Sequence, residues 1–144
     1  MLRDDQSEPT RIAALIADDD PIFCAVASAA LRRCGHVPTI AADGAAAWEA
    51  LLANTYDVAL VDLSMPHIDG FRLIALVRST PRIAHLPIVV LTVRSDIEAI
   101  DEALGIGANG YLTKPVNWQE LNNILLDLTS RTMAPSTSTV GQTR

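Results

Sequence analysis

The chain has 144 residues and a formal net charge of −6. That length can bury one hydrophobic core, and that charge disfavours direct binding to nucleic acid or to anionic membranes. No apolar stretch approaches the roughly 18 to 20 residues that span a bilayer, and residues 1–9 are polar where a signal peptide would be apolar. We therefore expect a single domain that folds alone in the cytoplasm.

Five short apolar runs alternate with five longer amphipathic segments. The predicted strands are 12–17, 38–41, 58–61, 88–91 and 110–112, and the predicted helices are 21–34, 44–53, 71–78, 96–104 and 118–128. Residues 88–91 are apolar at every position, as in strands that helices cover on both faces. The alternation predicts an α/β fold with a doubly wound, five-stranded parallel sheet. Residues 1–10 and 132–144 are rich in Ser, Thr, Asp, Gln and Pro and lack apolar periodicity, so we expect flexible tails around a domain at 11–131.

Chemically capable side chains follow four of the predicted strands. An acidic group that includes Asp18 and Asp19 follows the first strand, and Asp62 follows the third. Thr92 and Lys114 follow the fourth and fifth strands. In open parallel sheets the ligand site lies outside the carboxyl ends of the strands, so we expect these residues to converge on one crevice.

The three carboxylates would repel one another in such a crevice. Two unit charges about 4 Å apart repel by roughly 1 kcal/mol in water and roughly 4 kcal/mol at an effective dielectric of 20. A divalent cation relieves this repulsion, and oxygen ligands favour Mg²⁺ or Mn²⁺ over zinc. With the ammonium of Lys114 and the hydroxyl of Thr92 opposite, the cluster is typical of a site that holds a phosphoryl group.

The sequence resembles a known family, the response-regulator receiver domains of two-component signalling, over residues 11–131. Four motifs in order carry the resemblance: 17–21 (ADDDP), 61–66 (VDLSMP) with 69–70 (DG), 90–92 (VLT) and 107–115 (GANGYLTKP). Each motif alone is weak, but their order and spacing are specific. The resemblance implies a flavodoxin-like fold with strand order 2-1-3-4-5 and a cis peptide bond between Lys114 and Pro115.

The resemblance also implies roles for the site residues. Asp62 would accept a phosphoryl group from a phosphohistidine of a sensor histidine kinase or histidine phosphotransfer protein, and Lys114 would pair with the phosphoryl oxygens. Mg²⁺, or Mn²⁺ in its place, would be held by Asp18, Asp19, Asp62 and the backbone carbonyl of Ser64. The chain would be a signalling switch and not an enzyme, since it would catalyse only its own phosphorylation and dephosphorylation.

Two further residues would form the switch that the resemblance implies. Thr92 would hydrogen-bond the phosphoryl group, and Tyr111 would change rotamer in response. The face built from the fourth helix, fifth strand and fifth helix would then regulate an unidentified downstream protein, with a homodimer through the same face as one arrangement.

The chain departs from the receiver pattern at Val93, where a very small residue is usual after the threonine. Its β-branched side chain is expected to narrow the approach to Asp62. Ser64 and Arg94 occupy positions that tune dephosphorylation in the family. Two alternatives stay open: an aspartyl-phosphate phosphatase, suggested by the spacing of Asp18 and Asp20, and a receiver-like binding module that is not phosphorylated.

The cysteines and histidines carry no predicted chemistry. Cys24 and Cys34 are ten residues apart on one predicted helix, about 15 Å in rise, which is too far for a disulfide. The histidines at 36, 67 and 85 fall in predicted loops, and we expect them to be exposed to solvent.

Overall fold

A computed structural model of the chain describes the backbone of residues 11–133 and the side chains of residues 11–130. Its strands are β1 (Ala13–Ala17), β2 (Val37–Ala41), β3 (Val58–Val61), β4 (Ile88–Thr92) and β5 (Gly110–Thr113). Its helices are α1 (Pro21–Arg33), α2 (Gly44–Ala53), α3 (Gly70–Arg78), α4 (Ile97–Gly105) and α5 (Trp118–Met133), with a short 3-10 helix at Pro81–Ile83.

The five strands form one parallel sheet in the order β2-β1-β3-β4-β5. This confirms the predicted doubly wound α/β fold and the strand order that the family resemblance implied. Alternate residues of the central strands face opposite ways, so the sheet separates two hydrophobic clusters. One cluster packs against α1 and α5, and the other packs against α2, α3 and α4.

Aspartates fix the starts of four helices. Asp20, Asp43, Asp69 and Asp96 precede α1 to α4, and each accepts a hydrogen bond from a backbone N–H in the first turn of its helix. Gly70 opens α3 where a side chain has no room, because an added Cβ would lie 2.3 Å from the carbonyl oxygen of Asp62. Local capping and this close approach therefore set the direction in which the chain leaves β1 and β3.

The structure differs from the sequence-based expectations in a few places. Several element ends move by one or two residues, and α5 continues to Met133, two residues into the predicted tail at 132–144. The predicted tail at 1–10 and the remainder of the predicted tail at 132–144, from residue 134 onward, lie outside the described residues. Within residues 11–133, none of the helices has the length and apolar character that a membrane crossing requires.

His36 is buried, which makes the prediction of an exposed loop histidine wrong for this residue. Its Nδ1 accepts a hydrogen bond from the backbone N–H of Ile12, and its Nε2 lies 2.8 Å from Oδ1 of Asn122 on α5. The ring thus ties the start of β1 to α5. His67 and His85 are exposed as predicted, and the two cysteines are free.

Candidate functional site

Asp62 follows directly after β3 at the carboxyl edge of the sheet. Its backbone N–H donates to the carbonyl of Ala17 at the end of β1, which holds the two strand ends together. The residue is only 8% exposed. Its carboxylate is therefore held in a partly desolvated position beside the residues that follow β1.

Asp18 and Asp19 bring two more carboxylates to the same point. Each of the three aspartates offers an oxygen within 4.8 Å of the others, so the predicted cluster is present. Asp18 is 2% exposed and accepts a hydrogen bond from the backbone N–H of Asp20, whereas Asp19 is exposed. Hard oxygen donors at this spacing suit a small divalent cation such as Mg²⁺.

Lys114, directly after β5, supplies the positive charge of the site. Its Nζ lies 2.8 Å from Oδ2 of Asp18 and 3.3 Å from Oδ2 of Asp62. The peptide bond to Pro115 is cis, as the family resemblance implied. One ammonium thus bridges two of the three carboxylates, while Asp19 remains the most accessible of them.

In the shorter of the two Lys114 ion pairs, desolvation outweighs the other effects on the pKa of Asp18 but not on that of Lys114. Desolvation and the charge of Asp62 raise the pKa of Asp18. The hydrogen bonds from Lys114 and from the backbone N–H of Asp20 lower it by less, so the pKa stays above its ordinary value. For Lys114, desolvation lowers the pKa, but the hydrogen bond to Asp18 and the charges of Asp62 and Asp18 outweigh it and leave the pKa raised. The two groups differ because the Lys114 ammonium faces two carboxylates, whereas the Asp18 carboxylate faces one ammonium and one further carboxylate.

Thr92 ends β4 with a fully buried side chain. Its Oγ1 accepts a hydrogen bond of 3.4 Å from the backbone N–H of Arg94, and the carbonyl of Arg94 accepts one of 2.7 Å from the hydroxyl of Tyr111. The backbone of Arg94 therefore links Thr92 to Tyr111. The structure brings the predicted switch residues together through this third residue.

An open cleft of about 460 Å³ reaches Asp19 of the acidic cluster. It is lined by residues of the loops after β1, β3 and β4, among them Asp19, Ser64 and Arg94. The Arg94 guanidinium is held by two hydrogen bonds from its Nε and Nη2 to the carboxylate of Asp96 and lies 5.8 Å from the centroid of the Phe71 ring. Val93, directly after Thr92, is 71% exposed and is not among the residues that line this cleft, and its effect on the approach to Asp62 stays a prediction.

The chain matches a known protein family over most of its length. A model of the response regulator receiver domain matches residues 14–126. The chain belongs to this family.

Its curated relatives are much longer proteins. The gliding motility regulatory protein of Myxococcus xanthus is 38% identical over 104 residues, which are 72% of this chain and 13% of that protein. Protein RcaC of Microchaete diplosiphon is 35% identical over 134 residues, which are 93% of this chain and 20% of that protein. The receiver domain thus spans a small part of each relative's length.

Solved structures of single receiver domains match over nearly their whole length. The receiver domain of Francisella response regulator 1452 is 31% identical with a TM-score of 0.78, covering 84% of this chain and 98% of that one. The receiver domain of a Pseudomonas aeruginosa PAO1 sensor histidine kinase, solved with a magnesium ion coordinated in the active site cleft, is 30% identical with a TM-score of 0.78 and covers 84% of this chain and 99% of that one.

Membership of the family fixes the coarse biochemistry. Receiver domains are phospho-signalling switches of two-component systems, which interact with histidine kinases or phosphotransfer proteins and bind Mg²⁺ through an acidic cluster. This receiver domain has that cluster. Sequence reasoning missed Phe23, whose ring contacts Lys114, because a lone aromatic in a helix gives no sign of which side chain it meets.

Proposed function

We propose that this receiver domain is a switch activated by phosphorylation of Asp62, with the phosphoryl group supplied by a phosphohistidine of a sensor histidine kinase or phosphotransfer protein. The observation that carries the proposal is the position of the Asp62 carboxylate, beside one ammonium and two further carboxylates, of which that of Asp19 lines an open cleft. We take residues 11–131 as the domain that does this.

The metal site that we propose consists of the carboxylates of Asp18, Asp19 and Asp62 and the backbone carbonyl of Ser64. Support comes from the oxygen spacing and from the related Pseudomonas receiver domain, which holds magnesium in its active site cleft. Bound Mg²⁺, or Mn²⁺ in its place, would offset the negative charge that otherwise repels an incoming phosphoryl group.

In the transfer step an oxygen of Asp62 attacks phosphorus in line with the donor imidazole. The new O–P bond forms as the P–N bond breaks, and the bonding electrons leave with the imidazole nitrogen. Lys114, already 3.3 Å from the Asp62 carboxylate, is in place to pair with a phosphoryl oxygen as charge develops on it. The chain's own residues thus provide the nucleophile and a fixed positive charge.

The phosphoryl group would then draw in the Thr92 hydroxyl. Thr92 would give up its hydrogen bond with the Arg94 N–H, and the Arg94 carbonyl holds Tyr111, so the change reaches β5 through two contacts. The exposed apolar residues Ile97 and Leu104 of α4 make the face formed by α4, β5 and α5 suited to a downstream protein or a second copy of the chain.

The experiment that tests the proposal is intact-mass spectrometry after treatment with acetyl phosphate and Mg²⁺. Wild type and the matched control Asp101→Asn, which removes an exposed carboxylate on α4, should each gain one phosphoryl group, and Asp62→Asn should gain none. Undiminished labelling of Asp62→Asn, or of wild type in excess EDTA, would refute the assignment. Steady hydrolysis of p-nitrophenyl phosphate would favour a phosphatase instead, and absence of all labelling would favour a binding module.

A further inference from the structure

An aromatic ring covers the ammonium of Lys114. Phe23, in the first turn of α1, has its ring centroid 4.0 Å from Nζ of Lys114. Trp118, the first residue of α5, packs against the same ring with 5.8 Å between centroids and 36° between ring planes. The three side chains connect the first turn of α1 with the loop after β5 and the start of α5.

The contact is suited to hold a cation. The face of an aromatic ring is negative, so it attracts an ammonium, and the attraction is stronger where water is partly excluded. The side chain of Lys114 is only 14% exposed. Lysine has a flexible four-carbon stem, so a contact that restricts its rotamers raises the fraction of molecules in which the ammonium stands at the site.

We propose that Phe23 is a positioning residue for the phosphoryl-transfer reaction, which keeps the Lys114 ammonium within reach of Asp62. This inference rests on the proposed function of Asp62 and Lys114. The ion pairs of Lys114 use oxygens of Asp18 and Asp62, the same carboxylates that we assign to the metal and to the phosphoryl group. The contact with Phe23 uses no oxygen, so it persists when those carboxylates change partners.

The position of Phe23 is itself fixed by the acidic loop. Oδ1 of Asp20 accepts hydrogen bonds of 2.9 Å from the N–H of Ile22 and 3.3 Å from the N–H of Phe23, and Pro21 restricts the backbone at the first helical position. These bonds anchor the backbone of Phe23 to the loop that carries Asp18 and Asp19. A leucine here would fill much of the same space without presenting a negative face.

The test replaces Phe23 by phenylalanines with one, two and three ring fluorines, which weaken the cation–π attraction while nearly preserving shape. With phosphoramidate and Mg²⁺ as the probe, the apparent second-order rate constant for labelling should fall with each fluorine. Phe23→Leu should lower it about three- to thirtyfold, the range expected for a cation–π contact, and Phe23→Tyr should restore most of it. Tyr56→Leu, at the opposite end of β3, is the matched aromatic control and should leave it unchanged.

A second readout examines the contact without phosphorylation. In metal-free wild type the ring current of Phe23 should shift the NMR signals of the Lys114 εCH₂ group upfield, and Phe23→Leu should abolish this shift. Absence of labelling in wild type would overturn the proposed function and the role of Phe23 with it. Normal labelling of wild type with equal rates across the fluorinated series, or Lys114 signals that Phe23→Leu does not move, would overturn the role of Phe23 alone.

Discussion

Asp19→Asn should make the metal-free protein more stable. A carboxylate oxygen of Asp19 lies within 4.8 Å of an oxygen of Asp18 and of an oxygen of Asp62. The ion pairs of Lys114 are with Asp18 and Asp62 and not with Asp19. Asp19 is exposed, so the value in water applies, about 1 kcal/mol of repulsion for each neighbouring carboxylate. The Lys114 ammonium beside those two carboxylates offsets part of this repulsion, so removing the charge of Asp19 should raise the free energy of unfolding by about 1 kcal/mol.

The expected change is large enough for a thermal melt. For a domain of this size, about 1 kcal/mol corresponds to an increase in Tm of about 3 to 5 °C, measured by circular dichroism in excess EDTA. Millimolar Mg²⁺ should raise the Tm of wild type by mass action and that of Asp19→Asn by less, because the variant lacks one ligand. Asp101→Asn, which removes an exposed carboxylate away from the cluster, should match wild type in both conditions.

Two outcomes would refute this reasoning. If Asp19→Asn melts at or below the wild-type temperature in EDTA, the three carboxylates do not repel one another enough to matter. If Mg²⁺ shifts wild type and Asp19→Asn equally, Asp19 is not a ligand of the metal.

Three further predictions concern Lys114, Arg78 and Val93. The pKa of Lys114 is raised in the folded state, so its contribution to stability is complete below the ordinary lysine pKa of about 10.4 and is lost as the pH rises through the higher folded value. Lys114→Met should remove this pH dependence of the free energy of unfolding, measured by urea unfolding up to about pH 11. Arg78 donates five hydrogen bonds, four to backbone carbonyls and one to the amide oxygen of Asn109. Arg78→Met should therefore lower the free energy of unfolding by about 2 to 4 kcal/mol in the same assay. A loss below about 0.5 kcal/mol would show that these bonds contribute little to stability. Val93→Ala should speed labelling by phosphoramidate, because a smaller side chain beside Thr92 widens the approach to Asp62, and an equal or slower rate would show that this exposed side chain lies away from the path of the donor.

The sheet and the four charged positions of the site were predictable because they follow from a simple rule. Strands that are apolar at every position must be covered on both faces, and parallel strands bring their carboxyl ends to one edge. That rule alone places Asp18, Asp19, Asp62 and Lys114 together, and the structure does so. The roles of these residues in catalysis and metal binding stay predictions.

Other features depend on contacts between distant parts of the chain. His36 is buried because Ile12 and Asn122 satisfy its ring nitrogens, and Asn122 is 86 positions away. The end of α5 was placed too early because residues 129–133 lack apolar periodicity, yet the hydroxyl of Thr129 is satisfied within the helix by the carbonyl of Leu125. Arg94 likewise lies at the cleft beside the Phe71 ring, a contact between residues 23 positions apart that no local pattern indicates.

The central claim is that Asp62 itself carries the phosphoryl group. Borohydride reduces an aspartyl phosphate to homoserine, which peptide mapping by mass spectrometry can locate. After treatment with acetyl phosphate and Mg²⁺ followed by borohydride, homoserine should appear at position 62 and should be absent when EDTA replaces Mg²⁺. Homoserine at another aspartate, or stable labelling with none at position 62, would contradict the account.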